Sequence, residues 1–122
     1  MKESEIQKSI TDYLDWQKDL YYFRSGSGQF KTDRGWFKTG RKGCPDITIC
    51  IAGLALFVEV KNEKGKLSPE QKEAQKQIQR SGGIYIVARS IDDVIFEVEA
   101  IKIIKKTYGT KKINRCVVGK NK

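Results

Sequence analysis

An acid at position 46, a second acid at 59 and a lysine at 61 are the residues of this chain whose types and spacing suit chemistry. That chemistry is hydrolysis of a phosphodiester at a divalent cation. The reaction needs neutralisation of a dianionic transition state and an activated water, and Mg²⁺ held by a few oxygens supplies both. Mg²⁺ keeps several waters and binds through one or two carboxylates, which Asp46 and Glu59 offer, with the main-chain carbonyl of Val60 as a further ligand. Lys61 is then placed to stabilise charge on the phosphate or to hold the attacking water. Mn²⁺ is expected to substitute.

The elements that must position these groups can be read from the letters. Ile47-Thr48-Ile49-Cys50-Ile51 and Leu54-Ala55-Leu56-Phe57-Val58 read as strands joined by the two-residue turn Ala52-Gly53. With a turn that tight, Ile47 faces Val58, Ile49 faces Leu56 and Ile51 faces Leu54, so one face is wholly apolar. The other face sets Cys50 against Ala55, Thr48 against Phe57 and Asp46 against Glu59. Opposed residues have Cβ atoms roughly 4.5–5.5 Å apart, where like charges repel and call for a cation between them. Lys61, two residues beyond Glu59, points to the same side. An isolated E-x-K is usually an ordinary exposed strand pair, and the Pro45-Asp46 step at hairpin spacing is what turns it into a site.

Length and composition bound the rest. A chain of 122 residues forms one domain, 1–122, able to bury roughly two thirds of its unfolded surface. No apolar run reaches the roughly 18 residues of a membrane span, and the lysine-containing start lacks a signal-peptide pattern, so an intracellular protein is expected. Cys44, Cys50 and Cys116 have no C-x-x-C spacing and the chain has no histidine, which excludes finger-type zinc sites and histidine acid–base catalysis.

Charge is segregated. Residues 24–43 carry six Lys/Arg against one Asp, and residues 102–122 carry eight Lys/Arg and no acid, within a total net charge of +9. Two basic stretches of that kind are the footprint of a polyanion partner. In the first, a Gly-rich connection leading into Asp46, Gln29, Lys31, Arg34, Trp36, Phe37, Lys38, Arg41 and Lys42 interleave donors with aromatics. Such a segment suits backbone phosphates and stacking on an exposed base. Residues 109–122 read equally as a solvated basic tail. Lys64 and Lys66, flanking Gly65, are further phosphate contacts or simply solvated surface.

The order of elements predicts an α/β (α+β) domain. A helix spans about Glu3 to Gln17, with Ile6, Ile10, Tyr13 and Leu14 at helical spacing, and Tyr21–Arg24 is a strand. After the hairpin, Ser68-Pro69-Glu70-Gln71 opens a helix with a cap, a proline at the first position and a reciprocal glutamine, and Gly82-Gly83 ends it. Ile84–Ala88 is the next strand, and a helix over roughly Ile91 to Tyr108 follows, although Phe96-Glu97-Val98-Glu99 alternates like a strand. Helix then strand after a hairpin gives a mixed central sheet flanked by helices.

Four blocks together resemble a known family. Glu5-Ile6-Gln7, Gly43-Cys44-Pro45-Asp46, Phe57-Val58-Glu59-Val60-Lys61 and Leu67-Ser68-Pro69-Glu70-Gln71-Lys72 are similar to the VRR-NUC (virus-type replication-repair nuclease) branch of the PD-(D/E)XK nucleases, over about residues 3 to 96. The resemblance implies a restriction-endonuclease-like core and a Mg²⁺-dependent DNA endonuclease. It implies that a glutamate of the opening helix, Glu5 with Glu3 as the alternative, lies near the metal, and that Gln71 faces the site. Helix capping alone would also account for Gln71, and one side chain does not easily serve both ends. For a small stand-alone protein the family implies cleavage of branched DNA, with Holliday-junction resolution by a two-fold homodimer as the leading expectation. A flap nuclease, a less specific phage or restriction-type nickase, and a nucleic-acid-binding module that does no cutting are the alternatives.

Overall fold

The computed structural model describes residues 1–26 and 28–108, without the side chains of 28–32 and 36–39. The elements run α1 (Glu3–Asp15), β1 (Leu20–Arg24), β2 (Gly28–Thr32), β3 (Gly35–Thr39), β4 (Ile47–Ile51), β5 (Leu54–Val60), α2 (Pro69–Arg80), β6 (Ile84–Ala88) and α3 (Ile91–Tyr108). Four strands form one sheet in the order β1-β4-β5-β6, and β2-β3 form a separate two-stranded sheet.

The hairpin register is the one its apolar alternation demands: Ile47 pairs with Val58, Ile49 with Leu56 and Ile51 with Leu54. Ala52 and Gly53 both have positive φ, 55° and 78°, the backbone of the turn that matches strand twist. β1 adds antiparallel to β4, and β6 adds parallel to β5 after the α2 crossover, so the sheet is mixed as expected. One face of β4 and β5 is buried in a single core with Ile6, Ile10 and Leu14 of α1 and Val94, Val98 and Ile101 of α3. Each such side chain contributes roughly 1.5–3 kcal/mol when fully buried.

The opposite face carries Phe57 and Glu59 and is covered by α2. That helix contributes no fully buried residue and docks through half-buried side chains. At its far end Gly83 lets Ile78 lie against Phe57, since a Cβ there would stand 2.8 Å from the Ile78 side chain. Its near end starts with Ser68, whose hydroxyl accepts from the Gln71 N–H at 3.1 Å, as the capping-box reading requires.

Two local expectations are corrected and one is met. The basic connection is not a loop, because residues 28–32 and 35–39 pair as an antiparallel hairpin across the turn Asp33-Arg34. The helix expected over roughly Ile91 to Tyr108 is α3, and the strand-like alternation of 96–99 lies inside it because Val94, Val98 and Ile101 recur at helical spacing and all three enter the core. Helix α1 stops at Asp15 rather than Gln17, with Trp16 as its cap, and Asp19 at φ 65° turns the chain into β1.

Candidate active site

Asp46 enters β4 directly after the buried Pro45. Its Oδ2 accepts the Val60 N–H at 2.7 Å, which turns the carboxylate toward the end of β5. The paired ladder stops one step earlier, at Ile47–Val58, so this hydrogen bond rather than a strand pair joins the two chemical ends. The segment is clamped from β1. The Ser25 and Gly26 N–H groups donate to the Asp46 carbonyl at 2.9 and 3.3 Å. Ser25 Oγ donates to the Pro45 carbonyl at 2.9 Å and accepts from Thr48 Oγ1 at 2.7 Å. Cys44 Sγ adds a contact to the Ser25 carbonyl at 2.9 Å.

Glu59 is buried to 2% exposure, which is unusual for a carboxylate and costly unless it is partnered. Its Oε2 accepts from Gln71 Nε2 at 3.0 Å and lies 3.8 Å from Lys61 Nζ. Its Oε1 is buried with no hydrogen-bond donor among the described residues. Burial, then the charge of Asp46 beside it and a hydrogen-bonding contact between the two carboxyls, pushes the Glu59 carboxyl up to about 8, while Lys61 opposes the rise. A buried oxygen without a donor, next to a second carboxylate and a lysine, fits a divalent cation. Among the described residues no group of three or more His, Cys, Asp or Glu side chains gathers, so Asp46 and Glu59 are the two carboxylates that would hold an ion here. Two carboxylates with water completing the shell suit Mg²⁺.

The remaining predicted residues separate. Gln71 caps α2 and also faces Glu59, because its amide is bipolar: Oε1 accepts the Ser68 N–H at 2.9 Å while Nε2 donates to Glu59. Glu5 is exposed, and its Oε1 accepts the Lys2 N–H at 2.9 Å at the start of α1. Of the two helix acids it is Glu3 that turns to the site, accepting the Asn62 N–H at 3.3 Å and adding to the charge that raises Glu59. Val60 is seen using its N–H toward Asp46.

Arg41, Lys42, Lys64 and Lys66 are exposed, as phosphate contacts must be. Lys42 lies 3.5 Å from Glu70, and with Arg41, Pro45, Phe57 and Ile78 it borders an open cavity of about 380 Å³ beside α2. Arg34 is exposed in the hairpin turn, and the side chains of Lys31, Trp36 and Lys38 lie outside the described ones. So do the basic residues 109–122.

Three contributors were missed in the sequence. Ser25 gave no signal, since its role is visible only once β1 lies beside Pro45. Arg89 pins the loop after Lys61 by donating from Nη1 to the Asn62 and Gly65 carbonyls at 2.7 and 2.8 Å. Tyr85 lies beside Phe57 in the β5–β6 register, on the face that carries Glu59, and parity along β6 would have indicated it.

Comparison with known proteins agrees with the geometry. Two solved structures share the fold. One, described as a VRR_NUC domain, is 20% identical with a TM-score of 0.54 and covers 87% of this chain and 96% of its own. The other, described as a VRR_NUC domain protein, is 24% identical with a TM-score of 0.59 and covers 86% of this chain and 89% of its own. No curated protein matches the chain. The family model for the VRR-NUC domain matches residues 4–92, and a match of that extent means that the chain belongs to the VRR-NUC family, nucleases of the PD-(D/E)XK type.

Proposed function

We propose that this nuclease is a Mg²⁺-dependent DNA endonuclease that cuts branched DNA, a four-way junction above all, as a two-fold homodimer. The observation that carries the cation is Glu59 Oε1, a buried oxygen with no donor among the described residues, on a carboxyl that lies beside Asp46. Asp46 and Glu59 hold the ion, which supplies charge neutralisation and an acidified water when bound. Gln71 fixes Glu59 Oε2, and the Val60 N–H fixes Asp46 Oδ2, so one oxygen of each carboxylate is committed to protein. Lys61, with a side chain only 12% exposed, steadies the attacking water or the phosphate charge. Glu3, rather than Glu5, supports the outer water shell, because it is the helix acid that reaches the loop after Lys61.

The protein's charge of +9 supports a polyanionic substrate, with Arg34, Arg41, Lys42, Lys64 and Lys66 on phosphates and the β2-β3 hairpin delivering DNA toward Asp46. Two cuts at a junction call for two active sites, which is the argument for the dimer.

The test is incubation of purified protein with four-way junction, flap, linear duplex and single-stranded DNA, in Mg²⁺ or EDTA, beside Glu59→Ala. Cleavage of the junction in Mg²⁺ alone is expected. Cutting that persists in EDTA or in the mutant sinks the metal mechanism. Equal rates on duplex and junction sink the junction preference and leave the nuclease intact. A solution mass near 13.9 kDa, rather than twice that, argues against the dimer.

A further inference from the structure

Tyr85 has no part in the scheme above, yet it sits where the scheme happens. It is 7% exposed, and its hydroxyl is buried with no hydrogen-bond partner among the described residues, a condition it shares with Glu59 Oε1. β6 runs parallel to β5 and sets Tyr85 beside Phe57, two residues along from Glu59 on the face covered by α2. One strand across and two residues along, such neighbours stand roughly 8 Å apart at Cα, a gap that a phenol spans. The carboxylates of Glu59 and Asp46 are close enough that, after burial, their charges raise the Tyr85 hydroxyl above the ordinary tyrosine range. A buried donor and a buried acceptor thus lie on one sheet face, near enough for the charge of Glu59 to act on the Tyr85 hydroxyl, and buried polar groups in proteins are satisfied by protein or by water.

We propose that Tyr85 is a positioning residue of the cation site: its hydroxyl donates, through one bridging water, toward Glu59 Oε1 and holds that carboxylate facing the ion. Gln71 governs one oxygen of Glu59 and Tyr85 the other, which leaves the side chain a single orientation. Tyr85 is buried beneath α2, so its effect is expected on metal binding rather than on DNA binding. The inference rests on the metal-site reading above.

The experiment is calorimetric titration with Mn²⁺, without DNA, of the wild-type protein and Tyr85→Phe, alongside thermal melts in EDTA. Loss of a hydrogen-bonding partner behind a metal ligand typically weakens metal binding roughly 10–100-fold, so a loss of about tenfold is expected. The melting midpoint in EDTA stays the same or rises, since the deleted hydroxyl has no protein partner among the described residues and phenylalanine keeps the ring beside Phe57. Cleavage at saturating Mn²⁺ recovers. Unchanged affinity within a factor of two, with or without a change in the melt, overturns the proposal. A wild-type protein that binds no Mn²⁺ overturns the metal reading itself, which is a distinguishable result. A second measurement needs no variant: Mn²⁺ must broaden the Tyr85 ring resonances at lower concentration than those of Tyr13 or Tyr21, and equal broadening overturns the assignment.

Discussion

Gln71 Nε2 donates to Glu59 Oε2 at 3.0 Å while Gln71 Oε1 accepts the Ser68 N–H at 2.9 Å, so one amide closes the start of α2 and orients a buried site carboxylate. Helix capping and site geometry are thereby a single mechanical unit. Gln71→Glu keeps an acceptor for the Ser68 N–H but loses the donor and sets a third negative charge against Glu59. The expected outcome is a loss of at least tenfold in cleavage with a helix that remains capped. Gln71→Leu loses both functions, at about 1–2 kcal/mol of stability. Urea melts in EDTA beside cleavage rates separate the two variants, and equal behaviour would show that only one end of the amide matters.

The carboxylates predict a pH dependence of the metal-free protein. Glu59 titrates in the ordinary glutamate range when the chain is unfolded and at about 8 when buried beside Asp46. Between those limits the folded protein holds a proton that the unfolded chain has released. Stability in EDTA is therefore greatest below the ordinary range and is lost as pH rises through about 8, by an amount on the order of a few kcal/mol. Denaturant melts at pH 5.5 and 8.5 measure it. Glu59→Gln should flatten this profile, and Mg²⁺ should restore stability at the alkaline end by replacing the proton.

Asp46→Asn and Glu59→Gln should each reduce cleavage in Mg²⁺ by about a hundredfold or more, since half of the ionised donor set is lost. Neither should unfold the protein. Glu59→Gln keeps an oxygen for Gln71 Nε2 and removes a buried charge, so its melting midpoint in EDTA should rise at pH 8. A midpoint that falls instead would show Glu59 to be held mainly by its lysine.

Gly43 couples the Pro45-Asp46 segment to α2. It has φ +83°, and a Cβ there would lie 2.5 Å from the Glu70 carbonyl oxygen. Gly43→Ala must therefore push the first turn of α2 away and carry Gln71 off Glu59. Beyond about 1 kcal/mol of backbone strain, the expected result is a drop in cleavage comparable to Gln71→Leu. An alanine variant with normal activity would show that the approach relaxes without moving Gln71.

The basic surface should act on binding rather than on folding. Lys42 is 82% exposed and its contact to Glu70 is a surface pair, so Lys42→Ala should leave stability within about 0.5 kcal/mol. Its affinity for DNA in EDTA should fall, and the slope of log affinity against log salt should become shallower by about one. An unchanged slope would remove Lys42 from the phosphate contacts.

The sequence by itself determined the hairpin and what stands at its open end. Alternation along 47–51 and 54–58 and the two-residue turn allow one register that buries a clean face, and that register brings Asp46, Glu59 and Lys61 to one side. These are consequences of strand periodicity, which is local. The capping box and the mixed sheet were legible for the same reason. Tertiary structure decided how the distant groups reach the site. Gln71 arrives across the α2 crossover, Tyr85 across the parallel β5–β6 pair and Ser25 across β1, and no spacing in the chain encodes those distances. The choice between Glu3 and Glu5 also lay beyond the sequence. Two positions apart on a helix they point some 200° from each other, and only the rotation at which Ile6, Ile10 and Leu14 lock α1 onto the core selects the one that faces Asn62. Local periodicity places side chains on a face, and packing decides which faces meet.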